Sequence, residues 1–112
     1  MKVGVIEFVE CAHSATVNGK RAALHGHTYK IEVAVEGPLE NDIVFDFCEL
    51  RSIVKKVLEK YHQKNIDELL ENSTGENFAR TICEGIRSNL PKKLKLHIKL
   101  WQGHDKWVEH SE

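Results

Sequence analysis

Two histidines, His25 and His27, stand one residue apart at the start of a stretch in which apolar and polar residues alternate. Side chains alternate between the two faces of a strand, so both imidazoles project from the same face. His13 follows another strand-like run and is the best candidate for a third imidazole. Three histidines with an open fourth position are an arrangement that catalytic zinc uses. On spacing alone, a chance pair of surface histidines is the commoner explanation of such a motif.

The size and composition of the chain limit the class of protein it can be. The 112 residues, 41% hydrophobic and 29% charged, are typical of a single globular domain covering residues 1–112. A formal net charge of −1 does not point to nucleic acid or to an anionic membrane as a partner. We expect no membrane span and no signal peptide, because no apolar run is long enough. The odd number of cysteines, without a CxxC pair, favours reduced thiols in a cytoplasmic protein.

Four segments show the alternation of half-buried strands. These predicted strands cover residues 2–13, the stretch from the histidine pair to near Gly37-Pro38, residues 94–100, and a short last strand that begins at Trp107. On strand parity Cys11 shares a face with His13. The first strand is partly apolar on both faces, which predicts that something covers each of them.

Two segments show helical periodicity. Asp46 and Glu49 resemble a capping box before the first, and the Ser73 and Glu76 pair resembles one before the second, which ends at Pro91. The order β-β-α-α-β-β predicts an α+β domain with a four-stranded antiparallel sheet and two helices on one face. The other sheet face would stay open, and an open face on a small domain favours assembly into an oligomer.

An ordered set of short motifs along the chain resembles the 6-pyruvoyl-tetrahydropterin synthase / 6-carboxytetrahydropterin synthase family. The set consists of Ala12-His13, Leu24 to Tyr29, Val44 to Arg51, Lys64 to Asp67 and Ser73 to Ala79. The resemblance implies the tunnelling fold, in which three subunits join their sheets into a barrel and two trimers stack into a hexamer. It also implies that His13, His25 and His27 bind zinc, and that the substrate is a dihydropterin such as 7,8-dihydroneopterin triphosphate.

Other positions depart from the family pattern. The family's cysteine, four residues before the HGH motif, is Arg21 here, and its Asp-His pair falls on His62 and Gln63, or on Tyr61 and His62 after a slip of one residue. The glutamate that anchors the pterin ring falls on Gln102, which offers no charge to a protonated guanidine-like edge. The resemblance therefore implies an intact metal site beside altered acid–base and pterin-anchoring groups.

The remaining candidates each have a structural alternative. Cys11 could replace the missing thiol, although a small buried residue in a core strand is the commoner explanation. His62 is a candidate for proton transfer, and its alternative is a solvated histidine. Thr74 and Glu76 match the family's substrate site, while Glu76 is also the expected capping partner of Ser73. With Gln102, Thr74 and Glu76 form the predicted substrate-binding set.

Three functions are compatible with these residues. The first is a zinc-dependent lyase of pterin or deazapurine-precursor metabolism. The second is a catalytically altered homologue that binds zinc and a small heterocycle without the usual turnover. The third is a structural oligomer with an occupied metal site. In each case the expected assembly is a homo-oligomer. The resemblance implies a hexamer built as a dimer of trimers, and the open sheet face leads us to expect at least a trimer.

Overall fold

The computed structural model describes residues 1–112 as seven strands, two α-helices and one 3₁₀ turn. The strands are β1 (Lys2–His13), β2 (Thr16–Val17), β3 (Lys20–Arg21), β4 (His25–Glu36), β5 (Lys64–Asn65), β6 (Lys95–Gln102) and β7 (Lys106–Ser111). The helices are α1 (Phe47–Leu58) and α2 (Gly75–Arg87), and the 3₁₀ turn covers Ile66–Glu68. The predicted α+β class and the order of the long elements are confirmed.

The main sheet has the strand order β5-β1-β4-β6-β7. Its four long strands are antiparallel, as predicted, and β1 pairs with β4 along its whole length, from Lys2 opposite Glu36 to His13 opposite His25. Two short features were not predicted: β5, which adds a parallel two-residue edge beside β1, and a separate β2–β3 hairpin. Segments of two residues are too short to show an alternating pattern.

The start of each helix shows which capping prediction holds. The Asp46 carboxylate accepts a hydrogen bond from the Glu49 amide at 2.8 Å, so the predicted cap of α1 is confirmed. The predicted Ser73–Glu76 capping box is wrong, because Thr74 is the cap of α2 and accepts from the Asn77 amide at 3.2 Å. Ser73 lies one residue earlier, and its hydroxyl is used elsewhere.

Both helices pack against one face of the sheet and leave the other open. The covered face supplies fully buried side chains from the central strands, including Val9, Ile31 and Ile98. On the opposite face Ile6, Phe8 and Trp107 remain 43%, 61% and 51% exposed. This agrees with the predicted open face. The joining of three such sheets into a barrel stays a prediction that fits the fold. Neither helix is long and apolar enough to cross a membrane.

Candidate metal centre

Pairing of β1 with β4 brings three imidazoles together at one end of the sheet. His13, the last residue of β1, lies opposite His25, the first residue of β4, while His27 lies opposite Cys11. All three side chains project from the helix-covered face. One ring nitrogen from each lies within 4.8 Å of the other two. The structure therefore brings the three predicted metal ligands together, and that they bind zinc stays a prediction.

Main-chain carbonyls orient two of the three rings. His13 Nδ1 lies 2.7 Å from the Ser73 carbonyl oxygen, and His25 Nδ1 lies 2.6 Å from that of Ala23. A carbonyl oxygen can only accept, so in both rings Nδ1 carries the proton and donates it. In the neutral ring, Nε2 then keeps its lone pair. Histidines that bind metals commonly donate their other ring nitrogen to a carbonyl in this way.

The third ring has a buried nitrogen without a partner. His27 Nε2 makes no hydrogen bond within the chain. Buried polar atoms are almost always hydrogen-bonded, so an orphaned imidazole nitrogen beside two others fits a missing ligand. Burial, followed by the neighbouring rings of His13 and His25, lowers the pKa of His27. The neutral imidazole that a metal requires is therefore favoured near neutral pH.

These donors fit zinc. Three neutral imidazole nitrogens satisfy its preference for nitrogen ligands and leave a fourth tetrahedral position for water or substrate. The Tyr29 hydroxyl lies 3.5 Å from His13 Nε2. Tyr29 is fully buried, and burial raises the pKa of its phenol, so the hydroxyl stays protonated. It can serve as a hydrogen-bond donor beside the metal centre.

A second layer of side chains supports the histidines, and sequence reasoning did not assign it a role. The Ser73 hydroxyl donates to the Asp67 carboxylate, which also accepts from the Ser14 amide at 3.1 Å and lies 3.8 Å from the Arg21 guanidinium. These contacts hold the pKa of Asp67 below its usual range, and the hydrogen bond from Ser73 has the largest effect. Asp67 and Ser73 stand in the family-like motifs, but nothing in those motifs shows that the two residues meet.

Two predicted catalytic residues lie outside the cluster of imidazoles. The Cys11 thiol is buried and donates to the Tyr61 carbonyl oxygen at 3.3 Å, and burial raises the pKa of the Cys11 thiol to about 12. The structure therefore favours its alternative, a small core residue. His62 is exposed, accepts a hydrogen bond from the Glu10 amide at 3.2 Å, and lines a groove of about 630 Å³ between β1 and α1.

Two of the three predicted substrate-binding residues lie together. Glu76 and Gln102 line a cavity of about 190 Å³. Lys106, which is paired with Gln102 across β6 and β7, also lines it. Gln102 is also paired across the sheet with Tyr29, so this cavity and the imidazoles lie at the same end of the covered face. Thr74 does not join the cavity lining, and its hydroxyl caps α2.

Comparison with known families decides the relationship. The family model described as 6-pyruvoyl tetrahydropterin synthase matches residues 2–112. The chain belongs to this family. Among solved members of the 6-pyruvoyl tetrahydropterin synthase family, that of Caenorhabditis elegans superposes with a TM-score of 0.83 at 21% identity, over 100% of this chain and 95% of the other. The structure from Plasmodium falciparum superposes with a TM-score of 0.84 at 18% identity, over 100% of this chain and 97% of the other.

Curated relatives in the 6-pyruvoyl tetrahydropterin synthase family carry different activities in their names. The dihydroneopterin monophosphate aldolase of Pyrococcus furiosus is 38% identical over 101 residues, which cover 89% of this chain and 88% of the relative. The 6-carboxy-5,6,7,8-tetrahydropterin synthase of Haemophilus influenzae is 33% identical over an alignment of 122 positions, which covers 85% of this chain and 86% of the relative. Family membership therefore leaves the reaction to be argued from the site.

Proposed function

We propose that this protein is a zinc-dependent lyase acting on the side chain of a phosphorylated dihydroneopterin, and that it cleaves a carbon–carbon bond as an aldolase does. The observation that carries this proposal is the convergence of three imidazole nitrogens, one of them, on His27, buried without a partner. The reaction type is supported by the absence of a thiol at position 21 and by similarity to a relative named as an aldolase.

The histidines would hold the metal beside the reacting side chain. Zinc, when bound, supplies Lewis-acid polarisation of the substrate's hydroxyl oxygens. Carbonyls of Ser73 and Ala23 keep the His13 and His25 rings in the required tautomer and orientation. The Tyr29 hydroxyl stands beside the cluster, where it keeps its proton and can donate a hydrogen bond.

The neighbouring cavity would hold the pterin ring. Its amidine-like edge presents N–H donors, and the Glu76 carboxylate and the Gln102 amide oxygen supply acceptors in the same cavity. Lys106, the cross-strand neighbour of Gln102, adds a positive charge that suits a phosphorylated substrate. Gln102 thus forms a neutral contact where the family pattern has a charged anchor, and Glu76 is the only carboxylate of the cavity lining.

The proposed step is a retro-aldol cleavage. The hydroxyl on the second side-chain carbon loses its proton and becomes a carbonyl, and the bond between the first and second side-chain carbons breaks. Its electron pair passes into the conjugated C=N of the dihydropterin ring, and the first carbon then takes up a proton. The products are a hydroxymethyl dihydropterin and a two-carbon aldehyde that keeps the phosphate. No oxidant or reductant is needed.

A second candidate is a homologue that binds zinc and a dihydropterin without turnover. The location of the two predicted proton-transfer groups favours it: the Cys11 thiol is buried and protonated, and His62 lies along a different groove. If neither group reaches the substrate, binding could persist while proton transfer is slow.

Incubation of the zinc-loaded protein with dihydroneopterin, its monophosphate and its triphosphate, followed by mass spectrometry, distinguishes these functions. We expect the hydroxymethyl dihydropterin from a phosphorylated substrate, and none after zinc removal or in the His27→Ala variant. A 6-pyruvoyl product would overturn the aldolase proposal. Binding detected by calorimetry without any product would favour the second candidate. The absence of both binding and product would favour the third function, a structural oligomer.

A further inference from the structure

A thiol, an imidazole and a carboxylate meet between α2 and β7, away from the three histidines. Cys83 lies on the face of α2 that packs against the sheet, and His110 and Glu112 come from β7 and the residue after it. In the sheet His110 lies opposite the buried Ile98, and Glu112 exchanges backbone hydrogen bonds with Leu96. Both side chains therefore project towards α2.

We propose that Cys83, His110 and Glu112 form a second metal site that binds a zinc ion between α2 and β7. One ligand atom from each residue lies within 4.8 Å of the other two. In a tetrahedral zinc site with ordinary bond lengths, ligand atoms are roughly 3.3–3.8 Å apart, so a modest contraction suffices. His110 and Glu112 are partly exposed and can make that adjustment.

The ligand types fit zinc better than magnesium or calcium. A thiolate, an imidazole and a carboxylate belong to the donors that zinc binds, with water completing the tetrahedron, whereas the harder cations take mainly oxygen ligands. In the metal-free chain, burial and then the charge of Glu112 raise the pKa of Cys83 to about 12. A zinc ion would take the place of the thiol proton and would also neutralise the carboxylate.

The alternative is a core cysteine next to an unrelated surface pair. Cys83 is fully buried and could serve only for packing, and His110 Nε2 lies 3.4 Å from a Glu112 carboxylate oxygen, which is an ordinary surface contact. The two accounts differ in one consequence. An ion at this position would tie the edge strand β7 to α2, and the chain would be more stable with it than without it.

Cobalt substitution tests the site in the full chain. Metal-free protein is titrated with Co²⁺, which gives a thiolate-to-metal charge-transfer absorption only where a cysteine is a ligand. The three histidines offer nitrogen donors alone, so they cannot produce this absorption. We expect about two cobalt ions per chain, one for each site, with the thiolate absorption arising from the second. The test therefore separates this site from the zinc site of the proposed function.

Single variants assign the absorption. Cys83→Ser and His110→Ala should each abolish it and lower the bound metal from about two ions to about one, as expected when a ligand is removed. Cys48→Ser, at an exposed thiol, and His104→Ala, at an exposed turn histidine, are the matched controls and should change neither quantity. His110→Ala is the decisive variant if Cys83→Ser fails to fold. No thiolate absorption in the unmodified protein, or one that persists in His110→Ala, would overturn the proposal.

Discussion

The Ser73 carbonyl oxygen lies 2.7 Å from His13 Nδ1, across 60 residues of sequence. The Ser73 hydroxyl in turn donates to Asp67. The segment that leads into α2 therefore sets the tautomer and the orientation of an imidazole at the end of β1. This contact makes the geometry of the candidate metal centre depend on two segments that carry no metal ligand themselves.

Asp67→Asn should weaken zinc binding. The substitution removes the charge that holds Ser73 in place, and loss of such a supporting residue typically lowers metal affinity by about 10- to 100-fold. Competition with a chromophoric chelator measures the change. Glu68→Gln, at the exposed neighbouring carboxylate, is the control and should leave the affinity unchanged. Equal affinities in the two variants would show that the Asp67–Ser73 contact does not support the site.

The double substitution His25→Ala and His27→Ala should remove the zinc of the histidine cluster. Two of three ligands are lost, and a single imidazole in water holds zinc weakly. The test is made in a Cys83→Ser background, which removes the proposed second site. There the zinc content, measured by elemental analysis, should fall from about one ion per chain to nearly none. His104→Ala in the same background is the control. Full zinc retention in the double variant would refute the assignment of these ligands.

Formation of 6-pyruvoyl-tetrahydropterin from 7,8-dihydroneopterin triphosphate should be very slow or absent. Arg21 stands where the family has its thiol, and acid–base groups of this kind contribute roughly a hundredfold or more to the rate. The rate should rise in an Arg21→Cys, Gln102→Glu variant. Arg21→Ala is the control, because it also breaks the contact with Asp67 without adding a thiol. Turnover by the unmodified protein at roughly one per second or faster would contradict this prediction.

Stability of the metal-free protein should depend on pH through Asp67. Because its folded-state pKa lies below the usual 3.8, the ionised carboxylate stabilises the fold fully above that value, and the stabilisation is lost as the pH falls through the lowered value. Thermal unfolding of the unmodified chain and of Asp67→Asn, recorded with chelator between pH 6 and pH 3, should therefore converge at low pH. A constant difference in melting temperature across this range would contradict the linkage.

The open sheet face should drive assembly into a trimer or a hexamer. Ile6 and Phe8 lie next to each other on that face and are exposed, with polar residues around them. An exposed apolar patch with a polar rim is typical of an interaction surface. Phe8→Glu should shift sedimentation of micromolar protein towards monomer. Phe47→Glu is the control, since Phe47 is similarly exposed but stands at the start of α1. Monomeric unmodified protein would reject the predicted assembly.

Local patterns along the chain were enough to predict the long elements and the histidine cluster. Alternation depends only on the identity of successive residues, so it located four long strands and the common face of His25 and His27. Once two long antiparallel strands were expected, His13 was the natural partner at the end of the first. The α1 cap at Asp46 was equally local, because donor and acceptor are three residues apart.

Tertiary structure alone decided the contacts between segments that are distant in sequence. It showed that Ser73, predicted to cap a helix, instead orients His13. It also showed that the Cys11 thiol is buried and donates to the Tyr61 carbonyl oxygen. It also brought Cys83 to His110 across α2 and β7. The physical reason is that a one-dimensional pattern records which face a side chain occupies within its own element. Which residues meet between elements depends on how those elements pack.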